Sequence, residues 1–86
     1  SMTDILMYTS QFCPYCNNAE RLLESKGFKI SRKIYIDEEL EELTKMIEIT
    51  GKRSVPQIYI NDQYIGGFDD LRKWDTSGEL NKILGI

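Results

Sequence analysis

The apolar positions along this chain change their period several times, and each change marks an element. "ILMY", Ile5 to Tyr8, is a short apolar run between polar residues; it predicts a buried strand that feeds a loop from Thr9 to Phe12. Beyond Pro14 the spacing turns helical. Cys16, Ala19, Leu22 and Leu23 share one face, Glu20, Arg21 and Glu24 fall elsewhere, and Gly27 follows as a left-handed cap. "KISRKIYID" predicts a second strand from about Ile30 to Ile36, and a strand, helix, strand series this short favours a right-handed parallel crossover.

Asp37 then stands as the cap of a second helix, whose face is marked by Leu40, Leu43, Met46 or Ile47, and Thr50, ending at Gly51. Its acids, Glu38, Glu39, Glu41 and Glu42, crowd the first turns, where the helix dipole favours negative charge. "PQIYINDQYIGG" predicts two strands joined at Asn61 and Asp62 in a compact hairpin, with the turn type left open. Helical spacing resumes through Phe68, Leu71 and Trp74, breaks at Gly78, and leaves a final turn carrying Leu80, Ile83 and Leu84. The order β, α, β, α, β, β, α implies the α/β class, a small mixed sheet covered by helices.

Composition narrows the partners. The 86 residues suit one domain, taken as residues 2–86 because Ser1 ahead of Met2 reads as an expression scar with no basic and apolar leader behind it. A domain of this size buries roughly 60 to 65% of the surface its unfolded chain exposes, so one modest core is expected. Acidic residues outnumber basic ones, fourteen to eleven, so no strong positive field exists to hold nucleic acid. The apolar clusters are too short to cross a membrane. A single pair of closely spaced cysteines constrains little of the chain, which argues against a secreted disulfide scaffold and for a reducing, cytoplasmic setting.

That pair lies in "QFCPYCNN", in a chain with no histidine. Cys13 and Cys16 occupy positions i and i+3 of a first helical turn, on one face and within reach of a disulfide. Pro14 suits the first helical position, since its absent N–H is one the helix leaves unpaired, and this makes Cys13 the N-cap. Unpaired backbone N–H groups and the positive end of the dipole then stabilise a Cys13 thiolate, so Cys13 is expected to be the nucleophile. Cys16, one turn in on the apolar side, is expected to be the resolving thiol, since burial disfavours its ionisation. A thiolate formed this way needs no histidine base. Two cysteines without histidine cannot complete a zinc site, so no metal is expected. The structural alternatives are two unrelated buried thiols, or half of a metal site completed by a second subunit.

Three further stretches offer places for a substrate. In "KRSVPQIYI" the proline forces Val55 into extended backbone, with N–H and C=O free to pair with an extended peptide; the plainer reading is a trans Pro56 that merely opens an edge strand. In "GGFDD", Asp69 or Asp70 can cap the last helix. The same helix start can instead hold a carboxylate while an aspartate holds an ammonium, the two ends of an α-amino acid. Lys52 and Arg53 complement the end of the second helix, and either can clamp a carboxylate at the far end of such a peptide. Tyr15 walls the site or is a surface ring, and Phe12, Phe68 and Trp74 are expected in the core or rim.

With "CPYC", "SVPQIYI" and "GGFDD" in this order and separation, the chain from about Asp4 to Leu84 resembles a glutaredoxin of the small bacterial dithiol type. The resemblance implies a thioredoxin-like fold, a four-stranded mixed sheet between helices, and a cis bond between Val55 and Pro56. It implies glutathione as the peptide and co-substrate. Cys13 receives its sulfur, Val55 pairs with its cysteinyl backbone, Asp70 with the turn at Gly67, Phe68 and Asp69 holds its γ-glutamyl end, and Tyr15 and Lys52 face its glycyl carboxylate. Pro14, Tyr15 and Pro56 support the site. The clients implied are glutathionylated and disulfide-containing proteins, ribonucleotide reductase types among them, served by a monomer.

Two residues depart from that family's habit. Ser10 stands three positions before Cys13, where a lysine or arginine is common, and Phe68 stands where a small residue or cysteine is common. Two rival readings remain within reach of the same motifs. An electron donor fed by thioredoxin reductase is disfavoured by "GGFDD" and Lys52, and a dimer sharing an iron-sulfur cluster through Cys13 is disfavoured by Pro14.

Overall fold

In the computed structural model, which describes residues 3–86, four strands form one sheet in the order β2-β1-β3-β4; Ser1, read above as an expression scar, lies outside the described residues. Strand β1 (Ile5–Thr9) pairs parallel with β2 (Arg32–Tyr35) and antiparallel with β3 (Gln57–Ile60), which pairs antiparallel with β4 (Gln63–Gly66). Helices α1 (Pro14–Ser25), α2 (Leu40–Thr50), α3 (Phe68–Thr76) and α4 (Glu79–Leu84) complete the chain. The mixed sheet and the element order follow the expectation. The final turn is a short helix of its own, separated from α3 at Gly78, whose φ of 85° suits glycine.

The alternation of β1 sends its side chains to two faces. Ile5 and Met7 join Ile58, Ile60 and Ile65 beneath α1, α3 and α4, where Cys13, Cys16, Ala19, Leu23, Leu71, Leu80 and Leu84 complete the larger cluster. Tyr8 and Ile34 meet Met46 of α2 on the other face. Lys26, just past the end of α1, ties the outer helices together: its Nζ is 2.6 Å from Asp75 and 2.8 Å from Asn81. The β3–β4 connection turns at Asn61 and Asp62 with φ of 50° and 66°. Two successive positive φ values define a type I′ turn, whose twist matches the strands it joins.

Helix α2 departs from expectation at its start. Asp37 does not cap it; its carboxylate accepts the Gln11 N–H at 3.1 Å, and Glu39 takes the N-cap position without a side-chain bond. Tyr35 O accepts the Glu38 and Glu39 N–H groups, so the chain makes a turn before the helix can begin. That delay rotates the first residues outward: Leu40 is 72% exposed, and Met46, rather than Leu40, seats the helix on the sheet. The second strand is also shorter than expected: its ladder with β1 runs from Arg32 to Tyr35, closed at its ends by the Ser31 N–H on Ile5 O and the Ile36 N–H on Thr9 O.

A dithiol helix start beside a peptide-sized cleft

Helix α1 begins as the Pro14 argument requires. Cys13 is the N-cap in extended backbone, Pro14 opens the helix, and the Asn17 N–H donates to Cys13 O at 3.1 Å. The Cys16 N–H donates to Cys13 Sγ at 3.1 Å, so the sulfur takes up one of the donors that a helix start leaves over. The two sulfurs are joined as a disulfide across a Cα separation of 5.2 Å. Both cysteines belong to the larger core cluster, Cys16 at 2% exposed and Cys13, at its edge, at 9%.

A cleft of about 290 Å³ opens beside this pair. Tyr15 of α1 forms one wall, and Lys52, Val55 and Pro56 form another. Gly67, Phe68, Asp69 and Asp70 at the start of α3 close the third. The peptide bond between Val55 and Pro56 is cis, as the resemblance implied and against the trans reading of the proline alone. The Val55 carbonyl oxygen lies 3.8 Å from Cys13 Sγ, which sets the extended segment directly against the redox pair. Charge in the cleft is bipolar, with Lys52 on one wall and the α3 carboxylates on another.

The GGFDD segment is shaped by close approach. Gly67, not an aspartate, is the N-cap of α3, and its N–H donates to Asp70 Oδ2 at 3.0 Å. Asp70 therefore closes the helix start from the third helical position. Gly66 has φ of 117°, and a Cβ there would collide with the Asp70 side chain, so only glycine admits this turn. Phe68 stacks on Tyr15 with ring centroids 6.3 Å apart, and the Arg72 guanidinium lies 5.9 Å from the Phe68 centroid. Tyr15 is thus half of a paired rim rather than an isolated surface ring.

Other candidates do not converge. Arg53 is exposed and does not line the cleft, leaving Lys52 as its lysine or arginine contribution. Ser10 lies with Gln11, Asn17 and Glu38 in a separate depression. Phe12 is 95% exposed, neither core nor cleft wall, while Trp74 packs against the larger core cluster. Among the described residues, no group of three or more His, Cys, Asp or Glu is arranged to hold a metal ion.

Three cleft residues escaped the sequence reading: Ser54, Gln57 and Tyr64. Gln57 is 3% exposed, an amide buried at the start of a strand. Its Nε2 donates to Ser54 O at 3.0 Å, and its Oε1 accepts the Tyr64 hydroxyl at 2.5 Å. Burial, with the Asp70 carboxylate and Tyr59 adding to it, raises the Tyr64 phenol above its ordinary value of 10.0, so it stays protonated and donating at neutral pH. A polar residue directly after Pro56 on an otherwise apolar strand was the available signal.

A family model described as Glutaredoxin matches residues 5–65. The chain is 41% identical over 83 residues to a Neisseria meningitidis protein named Glutaredoxin, covering 96% of this chain and 98% of that one. The solution structure of glutaredoxin from Brucella melitensis matches with a TM-score of 0.84 at 37% identity, covering 98% of this chain and 90% of that one. A crystal structure of a buckwheat glutaredoxin-glutathione complex matches with a TM-score of 0.87, covering 96% and 77% of the two chains, and at 24% identity that likeness concerns the fold. With a thioredoxin-like fold, a paired Cys13 and Cys16 at a helix start, and these matches over most of its length, the chain belongs to the glutaredoxin family of thiol-disulfide oxidoreductases.

Proposed function

We propose that this chain is a glutathione-dependent oxidoreductase that reduces glutathione-protein mixed disulfides and protein disulfides through Cys13 and Cys16. The observation that carries the reading is the Cys16 N–H directed at Cys13 Sγ, beside a cleft with a cation and carboxylates on separate walls. Such a cleft suits a short peptide with carboxylates at both ends and an ammonium at one. Glutathione has this form, and the fold-level likeness to a glutaredoxin-glutathione complex supports the choice.

In this reading the Cys13 thiolate attacks the glutathione sulfur of a mixed disulfide. The bond between that sulfur and the client breaks, the client leaves as a thiolate and takes a proton, and glutathione remains on Cys13. A second glutathione thiolate then attacks the bound glutathione sulfur, releasing glutathione disulfide and restoring the Cys13 thiolate. With a protein disulfide, Cys13 first bonds to one client sulfur. Cys16 loses its proton and attacks Cys13 Sγ, the client departs with both thiols reduced, and the Cys13–Cys16 bond closes. Two glutathione molecules then reopen it.

Val55 pairs with the cysteinyl backbone, and Lys52 and Tyr15 take the glycyl carboxylate. Gly67, Phe68 and Asp69 at the helix start receive the γ-glutamyl carboxylate, and Asp70 its ammonium. Pro14 and Pro56 hold the two backbone segments that frame the sulfur. Residues 2–86 act as one domain, monomeric and in the cytoplasm, where glutathione is abundant. Glutaredoxin potentials of roughly −200 to −230 mV overlap the glutathione poise, so flow follows supply in either direction.

The test is a pair of variants assayed on a glutathione mixed disulfide and on a protein disulfide. Cys13→Ser is expected to lose both activities, and Cys16→Ser to keep the first and lose the second. Equal activity of both variants on the mixed disulfide, or loss of it in both, refutes the division of roles.

A further inference from the structure

We propose that Tyr64 and Gln57 are positioning residues for glutathione: the Tyr64 hydroxyl orients the Gln57 amide, which holds the Ser54–Val55 peptide so that the Val55 N–H faces the cleft. The inference rests on the proposed pairing of Val55 with the glutathione backbone, and concerns what aims that donor.

The geometry forms a chain of three groups. Tyr64 pairs across the hairpin with Tyr59, two residues along β3 from Gln57, so Gln57, Tyr59 and Tyr64 share one face of the sheet. Diagonal neighbours on a face are within reach of a long side chain. The Tyr59 and Tyr64 rings, 5.2 Å apart between centroids, hold the phenol in register. From there it donates to Gln57 Oε1 at 2.5 Å, and Gln57 Nε2 donates to Ser54 O at 3.0 Å.

The amide has one arrangement that satisfies both ends. Turned over, its oxygen would face the Ser54 carbonyl, acceptor against acceptor, at a position where Gln57 is 3% exposed and water is scarce. The Ser54 carbonyl, which can only accept, selects the orientation in which Nε2 reaches it, and the hydroxyl of Tyr64 then supplies the donor that Oε1 needs and anchors the amide there. A trans peptide is planar, with its C=O and N–H pointing opposite ways. Val55–Pro56 is the cis bond of this chain's described residues, so the Ser54–Val55 unit is trans. Fixing the Ser54 carbonyl on Gln57 Nε2 therefore fixes the direction of the Val55 N–H, the donor that the proposed pairing uses.

Neither Tyr64 nor Gln57 needs to touch the reacting sulfurs. Their effect is expected in binding, not in the exchange step, and this separates positioning from general weakening of the fold. The probe is the mixed disulfide of cysteine and glutathione, with glutathione as reductant and the full chain as enzyme. Tyr64→Phe keeps the ring and removes the hydroxyl. Its KM for the probe is expected to rise about 3- to 10-fold, the range of one lost hydrogen bond, with kcat changing less than about twofold.

A double-variant cycle then tests the route. Gln57→Met removes the amide at similar volume, and adding Tyr64→Phe to it is expected to raise KM no further. If that variant does not fold, Gln57→Glu keeps an acceptor for Tyr64 but has no donor for Ser54, and the same KM rise and the same lack of additivity are expected. An unchanged KM in Tyr64→Phe overturns the inference, as does a double variant whose KM rise is the product of the two single rises, since Tyr64 would then act on the ligand separately. If wild-type protein does not turn the probe over, the proposed function itself fails. If wild type turns it over and Tyr64→Phe matches it, only this inference fails.

Discussion

The backbone N–H of Cys16 donates to the sulfur of Cys13 across 3.1 Å, one turn into a helix opened by Pro14. The bond is present in the oxidised pair, so the donor is already aimed when the disulfide opens. A donor fixed on sulfur favours the thiolate over the thiol, and the helix dipole acts in the same direction.

In the reduced protein the Cys13 thiol is therefore expected to ionise at lower pH than a free cysteine, because the Cys16 N–H and the helix start favour the thiolate. Thiolate absorbance at 240 nm, followed against pH in Cys16→Ser, reads it directly. A midpoint at or above that of a free cysteine contradicts the electrostatic argument.

Gly66→Ala is expected to destabilise the fold by about 1–3 kcal/mol, because it forces a side chain into left-handed backbone and into the Asp70 carboxylate that receives the Gly67 N–H. Denaturant titration measures the loss. The same variant should bind glutathione more weakly, since Asp70 and the start of α3 move together.

Lys52→Gln is expected to raise the KM for a glutathione mixed disulfide about 3- to 10-fold while leaving stability close to wild type, as Lys52 is exposed. The wild-type KM should rise with ionic strength, and that dependence should flatten in the variant, because the removed interaction is the screened one. An identical salt dependence in both proteins would show that Lys52 does not meet a charge.

Two leucines should behave in opposite ways. Leu23 is fully buried under the sheet, and Leu23→Ala is expected to cost about 2–5 kcal/mol. Leu40 looked equivalent in the helical pattern but is 72% exposed, and Leu40→Ala should stay within about 0.5 kcal/mol of wild type.

Stability should decline in alkali. Burial raises the phenols of Tyr8, Tyr59 and Tyr64 above 10.0, and the hydrogen bond from Lys33 to Glu20 raises its ammonium above 10.5. Each group holds its proton more tightly folded than unfolded. Its contribution is complete below the unfolded value and is lost as pH rises past 10 towards the folded value. Melting temperatures should be flat through neutral pH in this respect and drop above about pH 10, less steeply in Tyr8→Phe. Equal slopes in the two proteins would remove Tyr8 from the explanation.

The elements and the redox pair were legible in the chain because their causes are local. A helix start needs only Cys13, Pro14 and Cys16 in order, a hairpin needs Asn61 and Asp62, and a strand such as Ile5–Thr9 declares itself by its own apolar run. The motif resemblance added what these causes do not contain, including the cis bond before Pro56 and the glutathione reading. Where a local signal had a nearby competitor, it misled. Asp37 was available as a cap, yet the Gln11 N–H across the fold claimed its carboxylate and α2 began later.

What the chain alone determined is thus the order of its elements and the presence of two thiols on one helical turn, since both depend on neighbours a few residues apart. Only the tertiary structure decided that Tyr15, Lys52, Val55 and Asp70 share one cleft, that Arg53 and Phe12 do not, and that a buried Gln57 links Tyr64 to Ser54. Those outcomes follow from strand order and register, which bring together residues up to 55 positions apart (15 to 70). No periodicity along the chain encodes a meeting of that kind, because its energy is shared among the whole sheet and both layers packed on it.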